Sequence, residues 1–147
     1  MPVSKKDGGF GRMSFGADRH SGKSAERRNT VRYVMIIAGE EDGWFDEAVS
    51  SGLMDEVNAW WEKWYAAGKI VKGGAELQPA STAKTVSRGG DGQPTVTDGP
   101  YLELKEVVGG FIILEGEDID DAIAVASGWP GIVPLGDRVE VRPVMER

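Results

Sequence analysis

A chain of 147 residues with 40% apolar content is long enough to bury one core and too short for two, so a single domain is expected. The absence of cysteine excludes disulfides, thiolate nucleophiles and sulfur-ligated zinc. The net charge of −7 is unevenly spread: residues 1–30 hold Lys5, Lys6, Arg12, Arg19, Lys23, Arg27 and Arg28 against Asp7, Asp18 and Glu26, a net of +4, which leaves −11 for the rest and argues against nucleic-acid binding by the folded part.

Nothing in the chain approaches the roughly 18 consecutive apolar residues of a membrane span, and the N-terminus lacks the apolar core of a secretory signal. A soluble, cytoplasmic protein is expected. Residues 1–30 are rich in Gly, Ser, Lys and Arg and carry neither helical nor strand periodicity, so they are expected to be disordered. Gly22-Lys23-Ser24 imitates the end of a phosphate-binding loop, but Ala17 stands where that loop needs glycine and no strand precedes it. His20, the only histidine, falls in this tail and reads as a solvated residue.

At Val31 the texture changes. VRYVMIIAG reads as a strand whose two faces, Val31/Tyr33/Met35/Ile37 and Val34/Ile36, are both apolar and must both be covered. An acidic loop is expected over 39–43. From Asp46 to Ala67, Ala48, Val49, Leu53, Met54, Val57, Trp60, Trp61, Trp64 and Tyr65 recur at three- and four-residue spacing, one stripe of an amphipathic helix that Gly68 ends. Three tryptophans on one stripe read as packing surface rather than as a cofactor box. Lys69 to Leu77 reads as a strand loosened by a bulge at Gly73-Gly74. Ala83–Ser87 and Thr95–Thr97 flank RGGDGQP as a hairpin.

Glu106 to Leu114 is the most apolar strand, without alternation and so expected to be buried on both faces. A second helix starts with Asp118 as N-cap, turns Ile119, Ala122, Ile123, Val125 and Ala126 inward and ends near Ser127-Gly128. Val139 to Val144 closes the domain, Pro143 favouring an edge or a strand end. Strand, helix, strand, hairpin, strand, helix, strand is the α+β ferredoxin-like split βαβ plan with an inserted hairpin. Two helices cover one face of its sheet. A second copy is the simplest cover for the other, which predicts a homodimer with face-to-face sheets around a shared interior; a monomer by light scattering at micromolar concentration would remove that expectation.

Asp98-Gly99-Pro100 has a purely structural reading, in which Asp bonds nearby N–H groups, Gly accepts positive φ and Pro stiffens the residues after it. It has a functional one too: a rigid turn holds Asp98 beside a pocket as polar anchor or general base, while Gly109-Gly110 lets a ligand or chain approach the strand backbone. The candidate site is therefore Asp98 with Gly99, Pro100, Tyr101, Lys105, Gly109 and Gly110, helped by Glu103 and Glu106; the Glu103 and Lys105 positions read equally as a solvated loop with ordinary ion pairs. No metal site and no cofactor are expected, since Glu115 to Asp121 lacks the loop glycine and terminal glutamate of a calcium hand.

Across VRYVMII, AAGKIVKGGAELQPASTAKTV, TVTDGPYLELKEVVGGFIILEG, EDIDDAIAVAS and VEVRPV the chain resembles the YCII-related proteins of the DGPF branch, whose hallmark has Phe where Tyr101 stands here. The resemblance implies a ferredoxin-like fold and a dimeric α+β barrel, no established reaction, a role in binding or transforming small molecules, and gene neighbourhoods with extracytoplasmic-function sigma factors. The His-Asp dyad it implies for related members is absent here, since no histidine follows His20. It also implies a start near Val31, so residues 1–30 are expected to be a dispensable extension or the product of a start assigned upstream of a non-ATG codon; an intact mass from the native host that includes these thirty residues would count against that expectation. Two functions are expected. One is a binding protein or cofactor-free enzyme acting on an uncharged or cationic small molecule; the other is an accessory or regulatory module that meets a protein partner such as a sigma factor.

Overall fold

The structure, a computed structural model, describes residues 29–100 and 106–147. The expected disordered tail and His20 lie almost wholly outside the described residues, as do Tyr101, Glu103 and Lys105.

Strand β1 (Val31–Gly39) forms where β-branched and aromatic residues alternate, and burial follows the alternation: Tyr33, Met35 and Ile37 are buried, Val34 and Ile36 half-buried. The expected acidic loop contains a single helical turn, α1 (Glu41–Trp44), which closes with Trp44 buried. Helix α2 (Glu47–Ala66) stops where expected: Gly68 adopts φ of 78°, its N–H donates to Tyr65 O at 3.0 Å, and the Lys69 N–H donates to Trp64 O at 2.9 Å. Strand β2 (Ile70–Glu76) carries its bulge at Gly73-Gly74, where the pairing register slips between Val71 and Ala75. A Cβ on Gly74 would lie 2.3 Å from the Phe111 carbonyl oxygen, so the backbones touch there and only glycine fits.

Strands β3 (Lys84–Arg88) and β4 (Pro94–Asp98) pair with each other as a separate two-stranded ribbon. Strand β5 (Val107–Gly116) leads into α3 (Ile119–Ser127), whose N-cap Asp118 accepts from the Asp121 N–H at 3.1 Å. The Asp121 carboxylate is held below its ordinary pKa by the Glu117 N–H first and then by Lys69, fixing this turn further. A short turn that the sequence did not announce, α4 (Ile132–Leu135), holds Pro134 in its first turn, where no N–H is needed, and Gly136 ends it at φ of 72°. Strand β6 (Arg138–Pro143) finishes on its proline at the sheet edge.

The main sheet runs β2–β5–β1–β6 with every pair antiparallel, the ferredoxin-like α+β order. Met35 faces Ile112 and Val141 across the ladders, and Ile37 faces Val139. Together with Leu114 they form one apolar face, against which Val57 and Trp60 of α2 and Ala122, Val125 and Ala126 of α3 pack. Each large aliphatic side chain buried there contributes roughly 1.5–3 kcal/mol. The tryptophan stripe is packing surface, as its spacing suggests: Trp60 donates to Val125 O at 3.0 Å and meets Trp129 edge-on at 5.1 Å, with Trp61 and Trp64 at its margin. One part of the α3 reading is corrected. Ile119 and Ile123 are exposed, because the inward stripe runs through Ala122, Val125 and Ala126 and leaves 119 and 123 on the helix flank.

The opposite face is also apolar. Ile36 pairs with Phe111, Val34 with Ile113, Ile113 with Val71 and Phe111 with Ala75, all half-buried, while Arg138, Glu140 and Arg142 of β6 line their margin opposite Ala38, Ile36 and Val34. β5 is therefore fully buried on one face only, at Ile112 and Leu114. Both long helices lie on the other side.

Candidate functional site

The hairpin leaves the sheet after Glu76 and returns at Val107, and β4 ends on Asp98. The turn expected after it is present: Gly99 takes φ of 96°, its N–H donates to Ala83 O at 2.7 Å, and Thr85 Oγ1 donates to Gly99 O at 2.6 Å. These bonds tie the turn back to the root of β3, so the backbone at Asp98 has a fixed geometry. The side chain itself points to water. It is 86% exposed and its partner is Lys84, 2.5 Å away and directly opposite in the ladder. An exposed pair of this kind holds little stability, about 0–1 kcal/mol. Pro100 is exposed beside it.

Gly109 and Gly110 are buried on β5 of the main sheet, whereas Asp98 belongs to the separate two-stranded ribbon. Gly110 pairs with Ile37 and Glu76, and Gly109 sits at the slip in register between β1 and β5. The close approach that its missing side chain permits is taken by the protein's own Trp44: a Cβ there would lie 2.5 Å from the indole. Glu106, the first described residue after the turn region, is paired with Arg138 of β6.

Among the described residues a different carboxylate is the buried one. Asp137, 3% exposed, precedes β6 and accepts two indole N–H bonds, Trp44 Nε1 to Oδ1 and Trp129 Nε1 to Oδ2, both at 2.9 Å. Burial pushes its pKa up, while the Trp129 and then the Trp44 hydrogen bond act in the opposite direction. Two glycines make room for it. A Cβ on Gly131 would stand 2.2 Å from Oδ2, and one on Gly39 2.6 Å from Oδ1. The sequence hides this group, for Leu135-Gly136-Asp137 reads as an ordinary turn and its partner Trp44 lies 93 positions away. The one local hint is a tryptophan ending an acidic, glycine-containing stretch, where a solvated loop has no use for an indole.

Among the described residues no group of three or more His, Asp or Glu is arranged to hold a metal ion, and no helix is long and apolar enough to cross a membrane.

A four-stranded antiparallel sheet with two helices on one face and a hairpin set between its second and third main strands defines an α+β protein of the ferredoxin-like class. Residues 31–147 match the model of the YCII-related domain, and the chain belongs to that family. It is 32% identical over 107 residues to the uncharacterized protein R00369 of Rhizobium meliloti (strain 1021), a match covering 67% of this chain and 85% of that protein.

Proposed function

We propose that two copies of the chain pair through their open sheet faces and bind or transform a small organic molecule in the interior between them. The supporting observation is the apolar second face itself, Val34, Ile36, Phe111 and Ile113 with Val71 and Ala75, which both long helices leave uncovered. The charged margin of Arg138, Glu140 and Arg142 would lie at the rim of such an interface, where polar groups belong. Replacing Phe111 by glutamate puts a charge in the middle of that face. The dimer dissociation constant is expected to rise by a hundredfold or more, about 3 kcal/mol, while the monomer keeps its circular dichroism.

Asp98 serves this reading as a polar anchor. General-base work asks for a carboxylate sheltered from water, and in the single chain Asp98 is 86% exposed, so anchoring is the role we assign it, with Gly99 and Pro100 fixing the backbone and Tyr101 and Lys105 following on the same stretch. The run TDGPY also places the chain, on our reading, in the DGPF branch of the family. An acidic folded part favours an uncharged or cationic ligand.

A second reading has its own support. Val86 and Val96 lie directly opposite each other on the hairpin and are 66% and 61% exposed, which suits an accessory module that contacts a protein partner. Substitution of Asp98 by asparagine separates the two. Loss of small-molecule binding in a library screen by thermal shift, with the melting temperature of the free protein within about 1 °C of wild type, supports the anchor. A lowered melting temperature with no ligand found for either protein supports the turn and interaction roles.

A further inference from the structure

Among the described residues, two contacts tie the feet of the β3–β4 ribbon, the flanking stretches at Ala80 before it and at Glu106 after it, to the region of one group. At the first, the Ala80 N–H donates to Glu41 Oε2 at 2.6 Å, and Glu41 shares the single turn α1 with Trp44, whose indole donates to Asp137. At the second, Glu106 accepts from Arg138, the residue that follows Asp137. Asp137 itself has one place to be. Trp44 of α1 and Trp129 of the connection between α3 and α4 hold its two oxygens, its own N–H donates to Gly131 O at 3.2 Å, and the missing side chains of Gly39 and Gly131 leave space for nothing larger.

Among the described residues its buried carboxylate meets two indoles and no cation, an arrangement that structural carboxylates rarely adopt. The charged groups on the elements packed around it are occupied or turned away: Glu41 binds Ala80, Arg138 binds Glu106, and Glu40, Asp42 and Asp46 are exposed. The stretch from Trp129 to Leu135 carries no charge at all.

We propose that Asp137 is a positioning residue for the β3–β4 hairpin, its carboxylate seating α1 through Trp44 at one foot and the start of β6 at the other. The placement of the ribbon then follows the state of one buried group. Protonation turns one of the two acceptor oxygens into a hydroxyl, a weaker acceptor, so the indole bonds slacken together and the feet loosen with them. Burial raises the proton affinity of this carboxyl, which moves the transition above the ordinary aspartate range.

The test is a pH titration of the full chain by proton–nitrogen correlation spectra. The indole N–H signals of Trp44 and Trp129 are expected to shift with one shared midpoint, and the backbone amides of Ala80, Val86 and Gly99 to shift with the same midpoint, while Met35 and Leu114 at the sheet centre stay in place. In the Asp137→Asn variant the shared step is expected to vanish and the hairpin amides to exchange about tenfold faster or more, with the sheet centre unchanged. Trp44→Phe keeps the carboxylate and Trp129, so it serves where the first variant fails to fold; it is expected to loosen the ribbon and to raise the Trp129 midpoint, since one donor to the anion is gone. Hairpin amides that ignore the titration, or a ribbon and sheet centre that loosen equally in Trp44→Phe, overturn the proposal. The outcome does not depend on any ligand or on dimerisation.

Discussion

Substitution of Asp137 by alanine is expected to cost about 2 kcal/mol of unfolding free energy near pH 7 and more near pH 4. Two buried indole N–H groups lose their acceptor together, and each orphaned donor costs about 1–3 kcal/mol; the relief of a desolvated charge offsets part of that at neutral pH. The pH dependence has a definite sign. Burial raises the folded-state pKa above the unfolded value, which is near 4, so the contribution of Asp137 to global stability is complete below that pH, where relief of the desolvated charge outweighs the weaker indole bonds, and declines as pH rises through the folded-state midpoint. Urea denaturation of both proteins at pH 4.5 and pH 7.5 measures it. A difference between wild type and variant that grows toward neutral pH would contradict the assignment of burial as the dominant influence.

Removal of the Trp60 side chain is the more damaging change. The indole is 6% exposed, donates to Val125 O of α3 and meets Trp129 edge-on, so it joins α2, α3 and the segment leading to α4 in one contact region. Trp60→Ala leaves a cavity that the sheet beneath cannot fill and is expected to cost about 3–5 kcal/mol, lowering the melting temperature by roughly 10–20 °C. Trp60→Phe keeps much of the volume and loses the hydrogen bond, so a smaller cost, about 1–2 kcal/mol, is expected. Trp64, only partly buried at the margin of the core, is the control: its alanine variant is expected to lose less than half as much. Thermal melts of the four proteins order them, and a Trp64 variant as damaged as the Trp60 variant would mean that the core lies elsewhere on α2.

The fold was legible wherever a signal was local and periodic. β1 and α2 announce themselves by alternation and by three- and four-residue spacing, Gly68 and Asp118 by the chemistry of helix ends, and Gly73-Gly74 by the one residue type that tolerates Phe111 backbone at that distance. The same reasoning overreaches at Ile119 and Ile123, where apolar type does not bring inward direction because the helix turns them to its flank. It is silent on α1 and α4, each a single turn, too short for a period to be read.

The site was legible only in its backbone. The turn at Asp98-Gly99 forms with positive φ at the glycine, as its residues require, but the direction of the Asp98 carboxylate depends on Lys84 across the ribbon and on what else meets the hairpin. Gly109 suits a close approach and does receive one, from Trp44. Asp137 was invisible because burial of a charge is a property of long-range packing: its two donors come from residues 93 and 8 positions away, and neither spacing belongs to a helix or a strand.

The pairing of open faces is the claim on which the proposed interior rests, and equilibrium sedimentation across nanomolar to micromolar concentrations tests it most directly. A mass of twice the 15.8 kDa chain is expected at micromolar concentration, converted to single chains by Phe111→Glu. A wild-type protein that stays at 15.8 kDa throughout that range would contradict it.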